Sequence, residues 1–238
     1  MPKSETSFTL FLSFLVSIST FGLLSVPILL SRIEKVQFYP WFSKPLVGML
    51  FSGLCIMGII AVFFPKTCQN AFINTSKTEN TRDRCEILSI TKLSGHHPDC
   101  QMFSSNRVQF RKRVFCASCA GLLAGAIIAL IGSTFYFIAG VSILDENMGI
   151  LWVGCLGLFI GLFQFKFRGI TKSAINAIFV ICSFLILAAT DLLGRSLLMN
   201  FYVFGLICFL LGSRILFSSW NNQRTCNKCG RCIFFDEY

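Results

Sequence analysis

The residues best suited to chemistry stand between positions 94 and 125, in the stretch SGHHPDCQMFSSNRVQFRKRVFCASCAGLLAG. It holds the only two histidines of the chain, His96 and His97, followed by Cys100, Cys116 and Cys119. Imidazole and thiolate are the ligand types zinc prefers, and a first pair followed by a Cys-x-x-Cys pair lets four of them converge tetrahedrally. Cys100, Cys116 and Cys119 with either histidine make a three-sulfur, one-nitrogen set of the kind found in structural zinc sites. Pro98 stiffens the approach to Cys100, and the fifteen residues from 101 to 115 are enough for the chain to loop back.

The same cysteines suit a second chemistry. Cys116 and Cys119 open an apolar segment, and Arg111, Lys112 and Arg113 stand just upstream. The positive end of a helix and nearby cations both favour thiolate. Thiolate ligates metal, but it also attacks disulfides, so a dithiol couple is the first alternative to a metal site. The remaining reading is a pair of solvated histidines with no specific chemistry.

A second cysteine group closes the chain, at Cys226, Cys229 and Cys232. Spacing at i, i+3 and i+6 resembles part of an iron–sulfur binding run, without its fourth cysteine and following proline. With Cys68 or Cys85 these residues could form a second metal site. Near a bilayer they are equally suited to redox chemistry or palmitoylation.

The elements that must position these groups are membrane helices. Of 238 residues, 54% are hydrophobic and 13% charged, about half the charge of a soluble domain. A helix needs about 20 apolar residues to cross a ~30 Å hydrocarbon layer. Six segments qualify: roughly 8–30, 46–64, 118–143, 149–165, 174–193 and 197–217. The expected fold is therefore an all-α, polytopic bundle of six transmembrane helices. Its organisation is two helices in 1–64, a Cys/His-rich loop at 65–115, four helices in 116–217, and a Cys-rich tail at 218–238. The first apolar run exceeds a signal-peptide core and lacks a convincing cleavage site, so an uncleaved helix is expected.

Orientation follows from the basic residues. Six spans place both termini, the long loop and the 166–172 turn on one face. That face carries 17 of the 21 lysines and arginines; Arg32, Lys35, Lys44 and Arg195 lie on the other. By the positive-inside rule the first face is cytoplasmic. The net charge of +10 is thereby explained by topology, and no nucleic-acid partner is expected. The cytoplasm is also reducing, which leaves thiols free for metal or redox work. Asn74-Thr75-Ser76 on that face would not meet a glycosylating enzyme.

Cys55, Cys155, Cys182 and Cys208 lie inside apolar runs, where cysteine serves as a small packing residue. Gly121 with Gly125, and Gly157 with Gly161, have the four-residue spacing that lets helix backbones approach closely in lipid. Asp191 lies near the end of a span, where it is expected to be solvated or paired with Arg195. No other charge is expected within the spans. Phosphate loops, Ser-His-Asp sets and paired carboxylates are absent from the sequence, so no general enzyme chemistry is indicated.

The block from Gly95 to Gly125 resembles a family of small prokaryotic multi-pass membrane proteins defined as a domain of unknown function. That family carries a Cys-His pair and, about twenty residues later, Cys-x-x-Cys-x-Gly opening a transmembrane helix. Cys116, Cys119 and Gly121 match the second part, and His96, His97 and Cys100 stand in place of the first with altered order and spacing. Asp191, Gly205 and Gly212 are loosely similar to a later Asp and a glycine-punctuated helix. The resemblance implies a polytopic membrane protein with a cysteine site and brings no activity with it.

The expectations are thus a metal site, zinc first, at His96, His97, Cys100, Cys116 and Cys119 in a cell-membrane protein with cytoplasmic termini. A second metal or an iron–sulfur cluster at Cys226, Cys229 and Cys232 is a further candidate. The expected partners are the lipid bilayer and a metal ion, with a homo-oligomer or membrane partner left open. The alternatives are a membrane thiol oxidoreductase using Cys116 and Cys119, and a transporter of ions or small solutes.

Overall fold

The structure, a computed structural model, describes residues 3–32, 40–63, 107–110, 113–141 and 148–229, with side chains over 9–32, 40–63, 116–141 and 148–221. Among the described residues, six α-helices form the bundle: α1 (Lys3–Arg32), α2 (Ser43–Phe63), α3 (Ala117–Ser133), α4 (Met148–Leu162), α5 (Gly169–Gly194) and α6 (Leu197–Cys229). Long uninterrupted runs of Leu, Ile, Phe and Ala, with few β-turn residues, leave helix as the only way to satisfy the backbone in an apolar surrounding. The all-α bundle expected from the apolar runs is therefore what the chain adopts. Among the described residues, five stretches are long and apolar enough to cross a membrane: Thr9–Arg32, Ser43–Phe63, Ala117–Ile138, Gly169–Gly194 and Leu197–Asn221. The expected span at 149–165 is shorter, because α4 has 15 residues before the chain tightens into a 3-10 turn at Gln164–Lys166. At 1.5 Å per residue that helix is about 22 Å long, below the ~30 Å hydrocarbon thickness.

Close approaches between helices give their directions. Gly121 and Gly125 of α3 meet Ser173 and Ala177 of α5 in the same order, so these two helices run parallel. Gly154, Gly157 and Gly161 of α4 meet Ile186, Cys182 and Phe179 in reverse order, so α4 runs against α5. Gly22 of α1 meets Leu206 of α6, and Ser25 shares a 2.6 Å hydrogen bond with Tyr202. Ser52 of α2 and Ser133 of α3 are 3.2 Å apart. The bundle therefore has two ends. One holds the starts of α1, α3 and α5 and the last turns of α2, α4 and α6; the other holds Arg32, Lys44, Ile138, Met148 and Gly194.

α5 is the central helix, packed between α3 and α4 and touched by α6. Buried residues make up 61% of its membrane-length window but 22% of that in α2, which places α2 at the periphery. The main core joins Phe51, Tyr136, Phe137, Phe179, Ile186, Leu187 and Leu210. Small residues make this packing close: at Gly125 a Cβ would stand 2.7 Å from the Ala177 carbonyl oxygen. The glycine pairs therefore act in packing, as their spacing suggests.

Pro27 interrupts the α1 hydrogen-bond ladder, since it has no N–H to offer the Leu23 carbonyl. The Cys155 thiol of α4 donates to that carbonyl instead, at 3.6 Å. Cys55, Cys155 and Cys182 are buried as expected, whereas Cys208 is exposed on the outer surface of α6.

Two further features depart from the sequence reading. Within the expected loop, β1 (Arg107–Phe110) pairs antiparallel with β2 (Arg113–Cys116), with Arg107 opposite Cys116 and Phe110 opposite Arg113. A four-residue strand pair is too short for its alternation to stand out beside membrane helices. In the expected tail, α6 continues to Cys229, past the last residue of its apolar window, Asn221.

Candidate functional site

β2 hands the chain directly to α3, and Cys116 is the residue at the junction. It has extended backbone angles (φ −66°, ψ 126°) and precedes the first helical residue, Ala117. Cys119 lies one turn further on, where i and i+3 share a face. Cys116 is buried, Cys119 is half-buried, and the two thiols are close enough to interact with each other. Both are free thiols. The Cys-x-x-Cys pair thus opens α3 with its sulfurs together, as the sequence suggests.

His96, His97 and Cys100 lie outside the described residues, as do Cys68, Cys85 and Cys232. Among the described residues, no three His, Cys, Asp or Glu side chains come together as a metal-binding group. Cys226 and Cys229 fall in the last turns of α6, beyond its membrane-length window, at the same end of the bundle as Cys116.

That end also contains charges the sequence reading placed in turns and tail. Lys172 and Arg214 are each 3% exposed. Arg214 donates through Nη2 to Gln164 Oε1 at 2.6 Å, and its guanidinium lies 4.4 Å from the centre of the Phe179 ring. Lys172 is close enough to interact electrostatically with Arg214, Cys116 and Cys119. Asn176, one turn beyond Lys172, donates to the Lys172 carbonyl at 2.6 Å. The expectation that the spans bury no charge besides Asp191 is therefore corrected. Lys172 and Arg214 stand beside turn or tail residues in sequence, and only the third dimension brings the start of α3 and the Gln164–Lys166 turn against them. Removing both from the expected count leaves 15 basic residues in the segments assigned to the cytoplasmic face against four in those assigned to the other, so the expectation keeps its sign.

The opposite end is organised around Asp191, which is 1% exposed and therefore not solvated. Asn200 of α6 donates to Oδ1 at 2.8 Å, and the Tyr136 hydroxyl donates to Oδ2 at 3.1 Å. Lys44 of α2 places Nζ 4.0 Å from Oδ2 and 4.4 Å from the centre of the Tyr136 ring. Arg195 adopts a left-handed conformation (φ 44°) and returns its N–H to the Asp191 carbonyl, closing α5. Tyr136 sits in a π-helical turn at Thr134–Ile138, where the wider coil changes the direction of its side chain. One buried carboxylate thus ties together α2, the end of α3, α5 and α6. Isolated Tyr, Asn and Lys residues carried no signal of this in the sequence.

Between the two polar ends the central helix is inward-facing and apolar at Phe179, Ile186 and Leu187. Ser183 and Thr190 return their hydroxyls to the carbonyls of Phe179 and Ile186 on the same helix. The two clusters are therefore separate sites.

No known protein family, curated protein or solved structure matches this chain.

Proposed function

We propose that this chain is a multi-pass cell-membrane protein that binds a metal ion, zinc first, on its cytoplasmic face. Cys116 and Cys119 supply two ligands, and Cys100 with His96 or His97 supplies the others. The observation that carries this reading is the position of the two adjacent thiols at the β2–α3 junction. A helix start held by a strand pair is a rigid place for two ligands, and His96 and His97 precede Cys116 by 20 and 19 residues in the sequence. The buried Lys172 would offset part of the negative charge that two or three thiolates bring to a metal. Bound metal would also supply folding energy to a segment too polar to build a core of its own. The excess of basic residues at this end supports a cytoplasmic face with both termini on it.

Elemental analysis of the purified chain tests the reading. One zinc per chain is expected, with Cys116→Ser and Cys119→Ser each lowering the metal content. Unchanged stoichiometry in both variants would remove these residues as ligands.

A second reading is favoured by the contact between the two thiols. A Cys116–Cys119 dithiol can oxidise to a disulfide, giving two electrons and two protons to an acceptor such as a quinone. It requires that the metal-free chain cycle between thiol and disulfide at a physiological potential. Failure of the pair to close under mild oxidant would exclude it.

A further inference from the structure

Two large aromatic side chains at the start of α2 are left largely uncovered by the bundle. Trp41 is 88% exposed and Phe42 46%. Pro40 precedes them, and the Ser43 N–H returns to the Pro40 carbonyl at 2.9 Å, so a tight turn fixes the pair to the helix start. The Leu46 N–H donates to the Phe42 carbonyl at 3.0 Å, which joins Phe42 to the first turn of α2. The two rings meet edge to face, with centroids 6.1 Å apart and planes at 87°. The pair is therefore a preset projection from the end of a membrane-length helix.

Its level in the molecule is marked on both sides. Further along α2 the large exposed side chains are apolar: Met49, Leu50, Ile56, Met57 and Ile60. At the same end as the pair are the exposed Arg32 and Arg195, which close α1 and α5. Trp41 and Phe42 thus stand where a hydrocarbon-facing surface gives way to charge. Tryptophan is enriched at that boundary in membrane proteins, because its ring body is apolar and its N–H requires a polar partner. In sequence, Phe38 and Tyr39 extend the same aromatic run ahead of Pro40.

We propose that Trp41 and Phe42 are an interfacial anchor, seated among the headgroups and ester groups of the bilayer, that fixes the depth of α2. The consequence reaches the buried carboxylate. Among the described membrane-length helices α2 is the least buried, and Lys44, three residues after Trp41, places Nζ 4.0 Å from Asp191 Oδ2. One turn of drift along the axis, about 5.4 Å, would carry the ammonium out of reach. A lipid surface is favoured over a second copy of the chain, because the projection is two side chains at the rim of the apolar band rather than a face along it. The proposal rests on the membrane reading of the chain and is independent of metal at Cys116 and Cys119.

The test uses the full chain in phosphatidylcholine vesicles and reads tryptophan fluorescence. Trp41 is isolated by Trp152→Phe with Trp220→Phe, and Trp152 by Trp41→Phe with Trp220→Phe. Trp152 is the internal reference: it is 45% exposed on α4, about 6 Å along the axis from Met148, which starts α4 at the same end. Trp41 should be quenched more by lipid brominated near the ester end of its acyl chains than by lipid brominated near the methyl end, and weakly by aqueous acrylamide. Trp152 should shift toward the deeper bromines. If the isolating substitutions disturb the fold, the difference between wild type and Trp41→Phe reports the same component. Trp152 quenched by lipid, with Trp41 quenched only by acrylamide, overturns the anchor and leaves the membrane reading intact. Trp41 reached by neither reagent is covered by protein, which also overturns the anchor. Absence of lipid quenching at both residues overturns the two readings together. Trp41→Ala should also raise the rate at which an amine-reactive ester acylates Lys44, followed by peptide mass spectrometry, and Trp41→Tyr should restore part of the protection. An unchanged rate in Trp41→Ala overturns the link between the anchor and Asp191.

Discussion

Substituting Gly125 with alanine probes the contact that aligns the dithiol end with the central helix. The added Cβ would stand 2.7 Å from the Ala177 carbonyl oxygen and 2.8 Å from its Cα. Both obstacles are backbone, so no side-chain rotation relieves them. Ordinary contact with a Cβ begins near 3.4 Å, so α3 and α5 must part by about 0.7 Å at this point, in an interface with little free volume. A gap of that size forfeits roughly a third of the dispersion energy of each close pair. Together with overpacking costs of about 1–3 kcal/mol, a loss near 2 kcal/mol is expected for Gly125→Ala. Gly121→Ala should cost more, because a Cβ there would overlap the Ser173 carbonyl oxygen itself. Gly121 lies two residues after Cys119, and Ser173 follows Lys172, so displacement there should also make Cys119 react faster with alkylating reagents. Gly205 is the control: it is on α6 and nothing lies within 4 Å of its Cβ position. Unfolding in a graded mixture of mild detergent and dodecyl sulfate gives the free energies. A Gly125→Ala chain within about 0.5 kcal/mol of Gly205→Ala, the ordinary scatter of surface substitutions, would refute the close α3–α5 approach.

Three further outcomes follow from the same contacts. Asp191→Asn should destabilise the bundle by about 1–3 kcal/mol, because an amide offers one acceptor to two donors, Tyr136 and Asn200, and points its own N–H at the other. Tyr136→Phe should cost about 1 kcal/mol alone, and its effect should shrink in an Asp191→Asn background; strict additivity would show that the two do not interact. Cys155→Ala should cost about 1 kcal/mol by leaving the Leu23 carbonyl without a donor, while Cys155→Ser, which retains one, should cost less. Equal losses in the two Cys155 variants would mean that packing, and not the thiol donor, matters at this position.

Length and apolarity of the runs were enough to read the helices, because a backbone in hydrocarbon has few alternatives to helix. The Cys-x-x-Cys entrance to α3 and the close packing at Gly121, Gly125, Gly157 and Gly161 were equally legible, since both are local spacings on one helix. The short strand pair ahead of Cys116 and the extension of α6 through Cys229 were not. Each involves only a few residues beside a much stronger apolar signal.

What the sequence determined by itself was therefore the class of element, the position of the apolar helices among the described residues, and the pairing of Cys116 with Cys119 at the start of α3. What only the tertiary structure decided was which polar residues are removed from water. Lys172 and Arg214 appear in the sequence as the edge of a turn and the start of a tail, and Asp191 as a residue near an interface. Burial depends on what neighbouring helices bring to the same level, and that is a relation between distant segments. α3, α6 and the Gln164–Lys166 turn meet one end of α5 around two cations, and α2, the end of α3 and α6 converge on the other to enclose one carboxylate. No local pattern records that convergence, because the desolvation of a charge is set by atoms far away in the chain.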